Sequence, residues 1–173
     1  MKKGFSLVEL LIVLAVIAAL VSSVTMFAGN AIKKAKATTI ARNLKSISLA
    51  AQKRLLIEGP DFFRNLPSGT GIKSLMKDVT EGYSLYVLIK RSGEVNTTAM
   101  YTTTGVDTEL VCEMLPDAFV AENDEKYTLL NGDYFCVIRW DKKLSAEGFI
   151  NSGSTVTYVP KDFLCQTQSF SIY

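Results

Sequence analysis

Met1-Lys2-Lys3-Gly4-Phe5-Ser6-Leu7-Val8-Glu9-Leu10-Leu11-Ile12-Val13-Leu14-Ala15-Val16-Ile17-Ala18-Ala19-Leu20-Val21-Ser22-Ser23-Val24-Thr25 decides how the rest of the chain is read. Two lysines and a glycine precede a long apolar run, and one carboxylate, Glu9, sits just inside it. From Leu10 to Val21 no side chain carries a polar group, and the mostly apolar stretch Phe5–Ala28 is 24 residues long. As a helix rising ~1.5 Å per residue it crosses a hydrocarbon layer of roughly 30 Å with some tilt. Positive flanks stay in the cytoplasm, which places Lys2 and Lys3 there. The stretch reads as a membrane segment.

Glu9 makes it more than an ordinary anchor. An acidic side chain deep in a spanning helix costs on the order of 3 kcal/mol, so it has a partner or a function. The simpler alternative is a charge near the helix end that snorkels to the interface.

The run Gly4-Phe5-Ser6-Leu7-Val8-Glu9-Leu10-Leu11-Ile12-Val13-Leu14-Ala15-Val16-Ile17 resembles the leader and N-terminal helix of type IV pilins and their pseudopilin relatives. The likeness is close over about the first 25 residues and holds only in character along the following helix. It implies that a membrane-embedded prepilin peptidase cuts between Gly4 and Phe5, and that the new amino terminus of Phe5 is N-methylated. It further implies that Glu9 neutralises the Phe5 ammonium of a neighbouring subunit as helices stack into a filament. An unpaired ammonium and an unpaired carboxylate are each expensive in an apolar core, and pairing removes both penalties. The partners so implied are copies of the chain itself, the prepilin peptidase, a pilus assembly platform and the inner membrane. The implied location is a single pass of the inner membrane before assembly and an extracellular filament after it.

Charge is divided along the chain. Residues 1–58 hold nine basic and two acidic side chains, whereas residues 59–173 hold ten basic and fifteen acidic ones. A basic rod and an acidic head attract one another when subunits assemble, an effect that salt screens. The plainer reading is a solvated helix that carries lysines. Nucleic acid is not an expected partner, because no aromatic residue or motif is interleaved with the charges. Cys112, Cys136 and Cys165 all lie beyond the membrane segment, where two of the three can pair. By analogy with pilins, which tie the chain near its C-terminus, the resemblance implies Cys136–Cys165. The alternative is three buried thiols acting as small apolar groups.

Further along, Gly29-Asn30 is a weak helix point, since glycine costs ~1 kcal/mol relative to alanine inside a helix. Ile40, Leu44, Ile47, Ala51 and Leu55 recur at spacings of four and three and define one apolar face. Glu58-Gly59-Pro60 is a stop signal. The chain thus divides into a cleaved leader at 1–4, a transmembrane and filament-core helix at 5–30, an amphipathic half of the same helix at 31–58, and a globular head at 59–173. Within the head, residues 59–82 read as an irregular connector with a short helix near Gly71–Asp78, and Phe62, Phe63, Leu66, Leu75 and Met76 tuck onto the core. Tyr83–Arg91 and Ala99–Thr104 read as strands, Asp107–Leu115 as a capped helix, and Tyr127–Leu130 with Tyr134–Asp141 as a hairpin about Asn131-Gly132. Thr155–Val159 is a fifth strand, followed by a tail. The class is α+β, a long N-terminal helix followed by a mainly antiparallel sheet, and is pilin-like.

Catalysis has little to stand on. The chain contains no histidine, so Ser-His and Cys-His pairs do not exist, and the commonest zinc ligand is missing. Asp124 and Glu125 lie in a polar loop whose spacing does not match an EF-hand, and no metal or cofactor is expected. Asn96-Thr97-Thr98 fits a glycosylation acceptor pattern of the kind that arises by chance. Trp140 reads as packing. The expected function is a structural pilin that polymerises through its N-terminal helix. Alternatives are a minor pilin or pseudopilin of a secretion or DNA-uptake apparatus, a membrane-tethered binding protein that never polymerises, and a secreted chain cut near Gly29-Asn30-Ala31 to begin at Ile32.

Overall fold

The computed structural model describes residues 6–67, 69–77, 79–139 and 153–171. Gly4, Phe5, Asp78, Trp140 and Ile172 lie outside the described residues. The chain divides into two compact units, the first ending at Lys36 and the second running from Ala37.

Helix α1 spans Leu7–Glu58 and passes through Gly29 without interruption. Its C-terminal part is held by the apolar face expected from the spacing. Ile40, Leu44, Ile47, Ala51 and Leu55 are all buried, joined by Ala37, Ala41 and Ser48. The helix stops where Gly59 turns to a positive φ of 72°, with its N–H donating to the Leu55 carbonyl at 3.0 Å. That left-handed turn suits glycine, and Pro60 cannot extend the helix beyond it.

The connector is less irregular than its glycines and prolines imply. Asp61–Asn65 forms a short helix, α2, that seats Phe63 fully in the core, while Phe62, Leu75 and Met76 pack at its edge. The helix expected near Gly71–Asp78 is a single 3-10 turn over Ile72–Ser74. Downstream lies α3, Thr108–Met114, whose first turn is capped as the sequence suggests: the Asp107 carboxylate accepts the Leu110 N–H at 3.3 Å.

Among the described residues, seven strands follow the helix: β1 Tyr83–Ile89, β2 Glu94–Thr102, β3 Ala118–Val120, β4 Glu125–Thr128, β5 Tyr134–Arg139, β6 Thr155–Val159 and β7 Phe163–Ser171. Five make one antiparallel sheet in the order β3-β7-β2-β1-β5, and β4 pairs with β6 in a second. One face of the large sheet presents Leu85, Val87, Val95, Ala99, Ile138 and Leu164 to the buried face of α1. The other face is covered by the small sheet, through Leu88, Phe135, Val156, Met100 and Val159. The fold is therefore a long N-terminal helix followed by an antiparallel sheet head, α+β and pilin-like.

Two expectations need correction. The hairpin about Asn131-Gly132 does not form as a pair, because β4 turns to β6 while β5 takes the free edge of β1. The turn itself is knotted by Asp133, whose carboxylate accepts the N–H groups of Arg91 at 2.7 Å and Leu130 at 2.9 Å and the Tyr127 hydroxyl at 2.9 Å. The chain does reverse tightly there, the Asp133 N–H donating to the Leu130 carbonyl at 3.0 Å, but the strands on either side pair elsewhere. The second correction concerns Cys136 and Cys165, which are both thiols. They lie on β5 and β7, with β1 and β2 between them, so about 14 Å of sheet separates them at ~4.8 Å per strand. They also belong to opposite faces, Cys136 toward α1 and Cys165 toward the small sheet. A disulfide requires Cα atoms within about 7 Å, so this pair does not bridge.

Candidate assembly segment

The apolar side chains of the first part of α1 are exposed. Leu7, Leu10, Leu14, Leu20, Phe27 and Ile32 are each more than half exposed. The most apolar 18-residue window of the helix has a mean hydropathy of 2.7, and none of it is buried. Exposed single leucines are ordinary, but a contiguous apolar helix of this length is not stable in water. It needs lipid or other helices.

Polar side chains inside this segment are neutralised locally. Ser22 Oγ donates to the Ala18 carbonyl at 2.8 Å, Ser23 Oγ to Ala19 at 3.0 Å, and Thr25 Oγ1 to Val21 at 2.6 Å. Each of these three hydroxyls reaches back one turn, which satisfies its own donor within the helix. This is why two serines and a threonine do not break the membrane reading.

At the N-terminal end the structure adds something that the charge argument omits. The Ser6 Oγ accepts the Val8 N–H at 3.2 Å, and the Glu9 carboxylate accepts the Ser6 N–H at 2.9 Å. Ser6-Leu7-Val8-Glu9 is thus a reciprocal cap: the serine satisfies a free helical N–H, and the glutamate reaches back to the capping residue. The signal was present in the sequence as Ser-x-x-Glu before an apolar run. Glu9 is exposed and sits where the partial positive charge of the helix end favours a carboxylate. The Ser6 that it caps follows Phe5 in the sequence, the residue expected to carry the new amino terminus.

The remaining candidates lie in the second unit and serve the fold. The Asp124 carboxylate accepts the Lys161 N–H at 2.8 Å. Asn96 sits within β2, its amide donating to Glu94 at 3.2 Å, and Thr97 is fully buried, so the acceptor triplet is part of the sheet. Lys90 bonds the Glu94 carboxylate and holds it below the usual range. Burial pushes Asp133 up, but the N–H groups of Arg91 and Leu130 outweigh it and leave the carboxyl below its ordinary value. Burial pushes the Cys165 thiol up to about 12 and raises Cys112 too. Among the described residues no three Cys, Asp or Glu side chains gather into a metal-ligating group.

Residues 1–25 match the family described as the prokaryotic N-terminal methylation motif. No curated protein and no solved structure matches the chain.

Proposed function

We propose that this chain, a type IV pilin-like or pseudopilin protein by the prepilin leader signature it carries, is a structural subunit that polymerises into a type IV pilus filament. The observation that carries the reading is a conjunction at one end of the chain. The methylation motif covers residues 1–25, and the helix it opens leaves its apolar side chains uncovered from Leu7 to Ile32. Proteins with this motif are typically structural.

The sequence of events follows from what each part needs. As residues 1–4 leave, the Phe5 amine becomes an ammonium at the head of an apolar helix. Phe5 and Glu9 then form the charge pair that joins neighbouring copies, with residues 5–30 as the shared core. Lipid covers this helix before assembly and sister helices cover it afterwards, at about 25 cal/mol for each Å² kept from water. Residues 31–58 anchor the head, residues 59–173. The prepilin peptidase and an assembly platform in the inner membrane act on the chain before it leaves as filament. Contacts between unlike surfaces of identical subunits give an open helical array.

Electron microscopy of sheared surface filaments, with an antibody against the second unit, tests the reading. Labelling along the whole length supports a major subunit. Sparse or terminal labelling assigns the chain to the minor pilins or pseudopilins, and labelling confined to membranes contradicts polymerisation.

A further inference from the structure

Charge is segregated more sharply within the folded unit than the halves of the chain suggest. Residues 37–57 carry four basic side chains and no acidic one, and residues 92–125 carry eight acidic side chains and no basic one. On the side of α1 turned from the core, Leu49 and Leu56 are 49% and 75% exposed. They stand two turns apart, and Lys45 and Lys53, each four residues from Leu49, share their stripe and are exposed. The result is an apolar strip edged with cations.

A complementary surface lies at the border of the large sheet. Strand β3 is its outermost strand, and Phe119 and Val120 are 38% and 37% exposed there. Glu113 on α3 and Glu122 just beyond β3 are exposed beside it in sequence. Arg54–Glu58, Arg64–Asp61 and Lys90–Glu94 are local ion pairs, and none of these three uses Lys45, Lys53, Glu113 or Glu122. Phe119 and Val120 stand on opposite faces of the strand, so a partner meets both only along its open edge, where two leucines framed by lysines face an edge framed by glutamates.

We infer that the Leu49/Leu56 strip of one subunit docks on the Phe119/Val120 edge of the next copy, with Lys45 and Lys53 facing Glu113 and Glu122. The inference rests on the polymerisation proposed above and says which surfaces of the second unit make the repeat. Because the two surfaces differ, each copy offers one to the subunit ahead and the other to the subunit behind, and the contact propagates without closing. The apolar side chains supply the attraction. The flanking charges fix register and exclude the reversed pairing of like surfaces. Lys45 also lines a groove of about 290 Å³ with Asp117 of its own chain, so a contact within one subunit must be told apart from one between subunits.

Charge reversal in the full-length chain, expressed with its assembly machinery, makes that distinction. One variant carries Lys45→Glu with Lys53→Glu, and a second carries Glu113→Lys with Glu122→Lys. Each alone is expected to reduce sheared filaments at least tenfold while leader cleavage and membrane abundance stay at parental levels. Co-expression of the two chains is expected to restore filaments containing both, because each offers the charge the other now needs. The neutral variant Lys45→Gln with Lys53→Gln guards against misfolding and is expected to lower the yield about threefold. Parental yield from either reversed chain overturns the inference. So does restoration when both pairs are reversed in one chain but not by co-expression, which assigns the charges to a contact within the subunit. Loss with the lysine variant alone assigns the strip to anionic lipid and equally overturns it. Parental filament yield from Glu9→Ala, or no filaments from the parent, counts instead against the polymerisation reading.

Discussion

The carboxylate of Glu9 accepts the backbone N–H of Ser6 at 2.9 Å, while the Ser6 hydroxyl accepts the N–H of Val8. Glu9 therefore has a use before any neighbour arrives. It closes the first turn of α1, and the same carboxylate is the group proposed to receive a neighbour's Phe5 ammonium.

These two uses differ in size. A helix cap is worth about 1 kcal/mol, whereas leaving an ammonium unpaired in an apolar core costs several kcal/mol after relaxation. Glu9→Gln separates them, because glutamine keeps the cap and removes the charge. We expect Glu9→Gln and Glu9→Ala to be equally poor at assembly, with sheared filaments down at least tenfold and the second unit still folded by circular dichroism in detergent. Assembly by the glutamine variant at parental level makes Glu9 a cap and nothing more.

Ser6→Ala removes half of the cap and leaves the charge. The first turn should loosen by about 1 kcal/mol, read as about fivefold faster amide exchange at Val8, with filament yield within twofold of the parent. A filament loss equal to that of Glu9→Ala contradicts the separation of roles.

The two sides of α1 beyond Ala37 should respond oppositely to truncation. Ile47 is fully buried against the sheet, and Ile47→Ala is expected to cost about 2–5 kcal/mol. Leu49 is half exposed, and Leu49→Ala should lie within about 0.5 kcal/mol of the parent. Thermal unfolding in detergent distinguishes them.

Asp133 ties three elements through Arg91, Leu130 and Tyr127. Asp133→Ala should destabilise the second unit by about 2 kcal/mol, since two N–H donors lose a charged acceptor. Its folded carboxyl lies below the ordinary value of 3.8. Its contribution is therefore present above about pH 4 and is lost as pH falls through the folded value. The parent and the variant should converge in melting temperature in acid and diverge toward neutral pH. A constant difference from acid to neutral contradicts the assignment.

Cys136 and Cys165 should remain thiols in the isolated protein. Denaturing alkylation without reductant is expected to modify Cys112, Cys136 and Cys165 alike, and native alkylation to modify half-buried Cys112 first. Protection of the Cys136 and Cys165 peptides until reductant is added contradicts the three-strand separation.

What could be read from the residues alone depended on how local the signal was. The buried stripe of α1, its stop at Gly59-Pro60 and the Asp107 cap are encoded within a few residues of where they act, and each was legible. Strand β7 was not. Phe-Leu-Cys-Gln-Thr-Gln-Ser-Phe-Ser carries polar side chains into the interior, and Gln166 is buried because β3 and β2 flank the strand on both sides. That environment comes from residues more than 40 positions away. Asn131-Gly132 does turn the chain, but it misled about pairing for the same reason, since the partners of β4 and β5 are chosen by distant strands. The Ser6–Glu9 cap was legible and is masked by the charge of Glu9, which draws the reading toward a partner outside the helix.

The most direct measurement is the mass of the N-terminal peptide from filaments sheared off intact cells. The account expects a chain beginning at Phe5 and carrying one added methyl group on its amine. A filament-derived chain that retains Met1, or a mature protein that begins at Ile32, contradicts it.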